Sequence, residues 1–265
     1  MGETTVTRIV ASILLVIGAF LASSSHGSAQ TPGVNRLDDV VARGTLRVGL
    51  SGDYKPFSIK IGEGMEGLDV DMARSLADSL GVKLELVQFA WPSLMADLQA
   101  GKFDVAMGGV TITLPRQKLA FFSVPVMQSG KTPIARCTDK GRFDTLAQID
   151  QPGVRVIANP GGTNESFDRA NIKQAQIIVF PDNARIFDEV AAGRADVMIT
   201  DSVETLLQQK LHPDLCAVHP DHPFNTSELA YLLPRDTAWK MYVDQWLNVL
   251  RVSGERQKLV AKWLD

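Results

Sequence analysis

The sequence lacks an excess of charge of either sign. Its 27 lysine and arginine residues nearly balance its 30 aspartate and glutamate residues, which leaves a net charge of −3. A chain so close to neutrality has no general electrostatic attraction to nucleic acid or to an anionic membrane surface, so we expect neither as a partner. Its 265 residues, 45% of them hydrophobic, are enough for one large domain or two small ones.

Long hydrophobic runs are missing from the sequence after residue 22. The apolar run at residues 9–22 follows Arg8 and precedes small polar residues that end near Ala29. This layout is typical of a secretory signal peptide, residues 1–29, which is removed on export. An uncleaved membrane anchor is the alternative, but the run is shorter than the roughly 20 residues of a membrane span. We expect an exported protein with no membrane contact after cleavage.

Cysteine is scarce. The two residues of this type, Cys137 and Cys216, both belong to the mature part of the chain. In an oxidising compartment the economical interpretation is one disulfide between them. The sequence does not show whether their Cα atoms lie close enough to be bonded, and a chain that is not exported would keep them as buried thiols.

Motifs for phosphate, dinucleotide or metal chemistry are absent as well. The sequence has no G-x-x-x-x-G-K loop, no dinucleotide-binding glycine fingerprint and no Ser-His-Asp motif. His212, His219 and His222 lie in a segment broken by prolines, and their spacing matches no zinc site. We therefore expect neither a cofactor nor a metal.

What the sequence does contain is an alternation of short β-rich runs and helical periodicities, in two similar blocks. The first block has strand-like runs at 45–50, 83–89 and 104–107, and the second has them at 154–158, 176–180 and 196–200. Apolar residues at helical spacing lie between these runs, and a longer helical pattern covers residues 239–263. This βαβ rhythm predicts an α/β fold with two lobes, each built on a mostly parallel sheet.

The lobes are predicted to be joined by two crossings of the chain, through residues 123–133 and near residues 223–230. The boundaries are then residues 36–127 plus 228–265 for lobe 1 and residues 128–227 for lobe 2. The C-terminal helix would pack on lobe 1. A ligand is expected in the cleft between the lobes, where α/β folds commonly bind small molecules.

An arginine follows a predicted helix cap in the stretch G-G-V-T-I-T-L-P-R-Q-K, residues 108–118. Thr113 can cap a helix that has Pro115 in its first turn, which places Arg116 in that turn too. The helix dipole disfavours a cation at this position. Arg116 is explained if it folds back to grip a carboxylate with two hydrogen bonds. The alternative is an ordinary solvated arginine.

An acid follows a glycine turn in the stretch N-P-G-G-T-N-E, residues 159–165. Thr163 and Asn164 are both good helix caps, and the free N–H groups of a helix start attract anions. Glu165 nevertheless places a carboxylate there. Helix electrostatics alone explain it, since an acid in a first turn stabilises a helix by about 0.3–1 kcal/mol. A protonated Glu165 in the cleft could instead act as a general acid.

Four further side chains are candidates for the cleft. Tyr54 and Trp91 follow strand ends and could line it, although aromatic residues there more often pack in a core. Lys131, near the predicted crossing, could meet a negative group or be solvated. Asp201 ends a strand-like run and could either contact a ligand or cap the following helix.

Residues 67–80, G-L-D-V-D-M-A-R-S-L-A-D-S-L, resemble the signature of the family 3 extracellular solute-binding proteins. This resemblance implies a two-lobed periplasmic-binding-protein-like (type II) fold with a cleft between the lobes. It implies that Arg116, with Thr111, holds the α-carboxylate of a ligand, and that the loop with Thr163 assists. It also implies that Asp201 holds the ammonium group of the ligand.

Further stretches resemble a more specific group, the periplasmic cyclohexadienyl dehydratases. These are G-D-Y-K-P-F, W-P-S-L-M-A-D-L-Q-A-G-K-F-D-V-A, R-Q-K-L-A-F-F-S-V-P, S-G-K-T-P-I, N-P-G-G-T-N-E, A-D-V-M-I-T-D and L-C-A-V-H-P-D, which together cover much of the mature chain. The resemblance implies a periplasmic lyase that converts prephenate to phenylpyruvate, or arogenate to phenylalanine, with Glu165 as general acid.

This interpretation places one requirement on Glu165 and leaves two questions open. Glu165 has to be protonated near neutral pH, so desolvation has to raise its pKa although Arg116 and Lys131 would lower it. The preference between prephenate and arogenate is open, and so is the oligomeric state. A non-catalytic amino-acid receptor of an import system is the alternative function.

Overall fold

The structure, a computed structural model, describes residues 35–264. The predicted signal peptide, residues 1–29, lies outside the described residues. Within residues 35–264, every helix is too short or too polar to cross a lipid bilayer.

Helices and short strands alternate along the described chain. The helices are α1 (Arg36–Arg43), α2 (Leu68–Leu80), α3 (Leu94–Gln99), α4 (Leu114–Gln117), α5 (Leu146–Ile149), α6 (Thr163–Asn171), α7 (Ile186–Ala191), α8 (Ser202–Leu211), α9 (Thr237–Ser253) and α10 (Glu255–Leu264). The strands are β1 (Thr45–Leu50), β2 (Asp53–Tyr54), β3 (Ser58–Ile61), β4 (Gly64–Glu66), β5 (Lys83–Gln88), β6 (Val105–Ala106), β7 (Phe121–Phe122), β8 (Met127–Ser129), β9 (Lys131–Arg136), β10 (Arg155–Ala158), β11 (Gln176–Val179), β12 (Val197–Asp201), β13 (Leu215–Ala217), β14 (Ser227–Leu229) and β15 (Leu232–Leu233).

The first lobe is built on a five-stranded sheet with the order β5-β1-β6-β15-β7. Strand β1 runs parallel to β5 and β6, because helices α2 and α3 carry the chain back between them. Strand β15, from the returning chain, is antiparallel to β6 and β7. A separate antiparallel meander, β2-β3-β4, flanks this sheet. The predicted βαβ units are present, but the sheet is mixed rather than mostly parallel.

The second lobe is built on another five-stranded sheet, with the order β11-β10-β12-β9-β13. Strands β10, β11 and β12 are parallel, as their alternation with helices predicts. Strand β9 lies antiparallel between β12 and β13. Cys216 of β13 is bonded to Cys137, which directly follows β9, with their Cα atoms 4.9 Å apart.

A two-stranded antiparallel ribbon marks the place where the chain passes between the sheets. It pairs β8 with β14 and joins Ser129 to Ser227 and Met127 to Leu229. The chain leaves the first sheet through β8 and returns through β14, within the two predicted crossings. We propose lobe boundaries at residues 36–127 plus 228–265 and at residues 128–227 on this basis.

Local signals explain where several elements end. Helix α2 stops at Gly81, whose φ of 66° lets its N–H bond the last turn of the helix. Helix α9 starts at the cap Asp236, whose side chain accepts from the N–H of Trp239. Gly254, with φ of 78°, divides the predicted C-terminal helix into α9 and α10. The buried Trp239 indole donates to the carbonyl of Asp104, which fixes α9 on the first lobe as expected.

Candidate active site

A glycine turn in the first lobe positions the arginine loop. The N–H groups of Gly108 and Gly109 donate to one oxygen of Asp69, at 2.7 and 3.1 Å, and the Tyr231 hydroxyl donates to the other at 2.9 Å. Burial raises the pKa of Asp69 to about 6, and these three donors limit the rise. A Cβ at Gly109 would lie 2.6 Å from the Phe57 ring, so only glycine fits this turn.

The arginine itself lies on the short helix α4. The Thr113 side chain caps this helix, and Pro115 occupies its first turn, as predicted. Arg116 is half-buried rather than solvated, and its guanidinium folds back to donate to the Thr111 carbonyl at 2.9 Å. Burial lowers the pKa of Arg116, and the Asp201 carboxylate partly offsets this effect. The Thr111 hydroxyl faces the second lobe, and Arg116 lies close enough for the Asp201 carboxylate to act on its charge.

In the second lobe, Lys131 and Asp201 form a buried ion pair at one edge of the sheet, where β9 begins and β12 ends. Lys131 of β9 and Asp201 of β12 are directly opposite each other in the antiparallel register. Their charged groups are 2.9 Å apart, and each side chain is less than 5% exposed. Two of the alternatives left open by the sequence are thus excluded. Lys131 is not solvated, and the Asp201 side chain makes no capping hydrogen bond to helix α8.

The glycine turn of the second lobe meets the first lobe. Gly161 has a φ of 73°, and Gly162 rather than Thr163 or Asn164 occupies the cap position of helix α6. The Thr163 hydroxyl lies 3.2 Å from the Thr111 hydroxyl, across the cleft. A Cβ at Gly161 would lie 2.7 Å from Pro92 of the first lobe. The two loops singled out by the sequence therefore meet, as expected.

Glu165 is held away from the cleft cavity in this structure. One carboxylate oxygen accepts from the Gly161 N–H at 2.7 Å, and the other accepts from Arg169, which also forms an ion pair at 2.7 Å. The Gly161 N–H, followed by Arg169, lowers the pKa of Glu165 below its usual range. The raised pKa that general-acid chemistry requires is therefore not present in this conformation, and Arg116 and Lys131 are not the cause. Arg169, four residues after Glu165, could have been identified from helical spacing.

The two lobes are in contact around a small cavity. The Tyr54 hydroxyl donates to Asp201 at 2.7 Å, and the Asn183 amide donates to the Asp53 carbonyl at 3.1 Å. The cavity between them has a volume of about 20 Å³, enough for about one water molecule. It is lined by Tyr54, Trp91, Gly109, Thr111, Asn159, Gly162, Thr163, Asn164, Asn183, Asp201 and Glu204.

This arrangement brings most of the predicted site residues together. Tyr54, Trp91, Thr111, Thr163 and Asp201 line the cavity, whereas Arg116, Lys131 and Glu165 do not. A ligand with a six-membered ring needs far more than 20 Å³. Entry of such a ligand would require the lobes to separate and then to close around it.

Two acids that the sequence did not single out are buried near this site. Glu204 lines the cavity and accepts from the Thr200 hydroxyl at 2.5 Å, and burial raises its pKa to about 8. Asp168, on helix α6, has no exposed surface, and burial raises its pKa to about 8 as well. Among residues 35–264, no group of three or more histidine, cysteine or acidic residues is placed to hold a metal ion.

Comparison with known proteins identifies relatives with the same architecture. The chain is 53% identical to the cyclohexadienyl dehydratase of Pseudomonas aeruginosa, over 93% of this chain and 91% of the relative. A crystal structure of an ancestral amino acid-binding protein, a precursor of cyclohexadienyl dehydratase, is 37% identical with a TM-score of 0.81, covering 86% of this chain and 99% of that one. A structure of an ancestral cyclohexadienyl dehydratase is 55% identical with a TM-score of 0.55, covering 87% and 97%.

The family-level match covers almost all of the chain that follows helix α1. The sequence pattern of the bacterial extracellular solute-binding proteins, family 3, matches residues 46–265. The two-lobed α/β architecture, with a cleft between two five-stranded sheets, agrees with that match. The chain therefore belongs to the bacterial extracellular solute-binding proteins, family 3.

Proposed function

We propose that this protein is a cyclohexadienyl dehydratase, a carbon–oxygen lyase that removes water and CO₂ from prephenate, from arogenate or from both. The observation that carries this proposal is the 53% identity to the Pseudomonas aeruginosa enzyme of that name, which extends over 93% of this chain. The products would be phenylpyruvate from prephenate and phenylalanine from arogenate.

The carboxylate groups of the substrate are assigned to cations and hydroxyls of the cleft. Arg116 folds back towards Thr111 and can turn its remaining N–H groups to a carboxylate. The hydroxyls of Thr111 and Thr163 meet at the same point and can donate to the same group. Tyr54 and Trp91, whose ring centroids are 6.1 Å apart, supply an aromatic wall for the ring.

The reaction needs one proton and releases two small molecules. A general acid protonates the ring hydroxyl, the C–O bond breaks, and water leaves. The bond from the ring to its carboxylate breaks at the same time, and its electron pair enters the ring as CO₂ departs. Formation of the aromatic ring drives the reaction. We assign this proton to Glu165, because the resemblance to the cyclohexadienyl dehydratases implies that this residue is the general acid.

Glu165 can acquire that proton only if substrate binding changes its surroundings. A dianionic substrate places negative charge beside the start of helix α6, and like charge raises the pKa of a carboxyl group. The Arg169 side chain is 60% exposed, so the ion pair can break at little cost. The Arg169 side chain then stays in solvent, and the Glu165 carboxyl group is free to turn to the cleft. Closure of the lobes then excludes water from the reacting group.

Substitution of the acid tests the assignment. Wild-type protein mixed with prephenate should form phenylpyruvate, which is followed by its absorbance. Glu165→Gln should bind prephenate but lose about 10²- to 10⁴-fold in kcat, the usual contribution of a general acid. The matched control is Glu189→Gln. Glu189 lies on helix α7 and, like Glu165, forms an ion pair with an arginine, Arg194. The control should keep wild-type activity.

The contrary result would favour the receptor alternative. If the wild-type protein binds amino acids tightly and leaves both prephenate and arogenate unchanged, the enzyme proposal fails. If Glu165→Gln is as active as wild type, the dehydratase proposal stands but the proton comes from another group.

The place of action follows from the family. The family is extracellular by its description, and the chain carries one disulfide in the described residues. An oxidising compartment accounts for that bond. We propose the periplasm as this compartment.

A further inference from the structure

Lys131 and Asp201 form a unit of the second lobe that does not depend on lobe closure. They stand on adjacent strands of one sheet, in direct register, and both side chains are almost completely buried. Separation of the lobes would break the hydrogen bond from Tyr54 to Asp201, because Tyr54 belongs to the first lobe. It would leave the ion pair intact. A substrate that enters the open cleft therefore meets Asp201 already paired with Lys131.

The donors of the Lys131 ammonium are all used in the closed structure. The Lys131 ammonium donates to Asp201 at 2.9 Å, to the Asn164 amide oxygen at 2.5 Å and to the Thr163 hydroxyl at 3.1 Å. An ammonium group has three donors, so none is left over. Asp201 uses one oxygen for Lys131 and the other for Tyr54. The carboxylate that the family resemblance assigns to a ligand ammonium is therefore occupied by a cation of the protein.

The two candidate substrates differ at the group that would approach this unit. Arogenate carries an ammonium group on its side chain, and prephenate carries a keto oxygen in its place. A second ammonium beside Asp201 would be repelled by Lys131 across a short distance in a buried site, where charges are poorly screened. A keto oxygen is an acceptor without charge, and it can accept a hydrogen bond from Tyr54 or Lys131 when substrate displaces the present partners.

We propose that Lys131 is a specificity-determining residue, which neutralises Asp201 and makes the cleft select the 2-oxo acid prephenate over the 2-amino acid arogenate. This inference rests on the proposed dehydratase function and goes beyond it, because it assigns the substrate class. The kcat/KM for prephenate is expected to exceed that for arogenate by about tenfold or more. Formation of phenylpyruvate and of phenylalanine by the same wild-type preparation measures this ratio. A ratio of one or below overturns the proposal.

Two variants test the role of the ion pair itself. Lys131→Met frees Asp201 and should lower the ratio of prephenate to arogenate activity by about tenfold, whatever the loss in absolute rate. Lys131→Gln removes the charge but keeps a donor for Asp201, and it is the better test if the methionine variant does not fold. It should lower the ratio as well. An unchanged ratio in a folded Lys131 variant would show that the lysine does not set the selectivity, against the proposal.

Failure of the dehydratase function would look different. In that case neither compound is consumed by the wild-type protein. In that case the selectivity is measured as the ratio of the dissociation constants of prephenate and arogenate, each determined by titration calorimetry. Equal binding, or tighter binding of arogenate, overturns the role of Lys131.

Discussion

At the scale of single residues, Glu165 is subject to two opposing requirements. In the structure it is a first-turn carboxylate that the Gly161 N–H and Arg169 hold in its charged form. As a general acid it must carry a proton when substrate is bound. The exposed Arg169 is the partner that can be removed without disturbing the cleft, because its side chain points to solvent.

Removal of Arg169 should make Glu165 easier to protonate. In Arg169→Met the loss of the cation raises the pKa of Glu165, although the Gly161 N–H still lowers it. The protonated fraction then persists to higher pH, so the alkaline limb of the kcat/KM profile for prephenate should shift to higher pH. Arg194→Met, which breaks the comparable pair with Glu189, is the control and should leave the profile in place. An unchanged limb in Arg169→Met would argue against Glu165 as the titrating acid.

At the scale of elements, the turn before helix α6 decides how closely the lobes approach. Gly161 has left-handed backbone geometry, and Pro92 of the first lobe packs against its Cα hydrogens. Any side chain here would strain the turn and also separate the lobes. Gly153 provides a comparison in the same lobe, since it has a φ of 86° and open space around it.

Gly161→Ala should therefore impair activity more than stability. The backbone strain costs roughly 1–2 kcal/mol of stability at either glycine. At Gly161 the added methyl group also meets Pro92, so we expect kcat/KM for prephenate to fall by about tenfold or more because closure is incomplete. Gly153→Ala should show a similar drop in thermal stability with wild-type kinetics. Equal kinetics in the two variants would mean that this lobe contact does not matter for the reaction.

At the scale of the whole molecule, buried acids couple folding to pH. Asp168 is fully buried, neither of its oxygens has a hydrogen-bond partner among residues 35–264, and its pKa is raised to about 8. Between pH 4 and pH 8 the folded protein thus holds a proton at Asp168 that the unfolded chain releases. The unfolded state binds fewer protons in this window, so this group makes the free energy of unfolding fall as pH rises.

The substitution Asp168→Asn should flatten that dependence. The contribution of one such group is at most about 1.4 kcal/mol per pH unit, and it ends near pH 8. Urea unfolding at pH 5 and at pH 8 should therefore show a smaller loss of stability in Asp168→Asn than in wild type. Asp221→Asn, in an exposed loop, is the control and should follow the wild type. A parallel decline in all three proteins would contradict a buried proton at Asp168.

The sequence by itself determined the features that depend on neighbouring residues. The bounds of β1 and the cap of α4 at Thr113 were predicted because strand propensity and helix caps act over a few residues. The same local patterns carried the resemblance to a two-lobed binding-protein fold and to a dehydratase, and the comparisons confirmed both.

Only the tertiary structure decided the arrangements that join distant parts of the chain. The antiparallel placement of β9, β13 and β15 arises when the chain crosses between lobes, and no local pattern specifies it. That placement puts Lys131 beside Asp201, 70 positions away, and the Asp201 side chain makes no capping hydrogen bond to helix α8. Burial likewise raised the pKa of Glu204 and Asp168, because desolvation depends on everything packed around a group and not on its neighbours in the sequence.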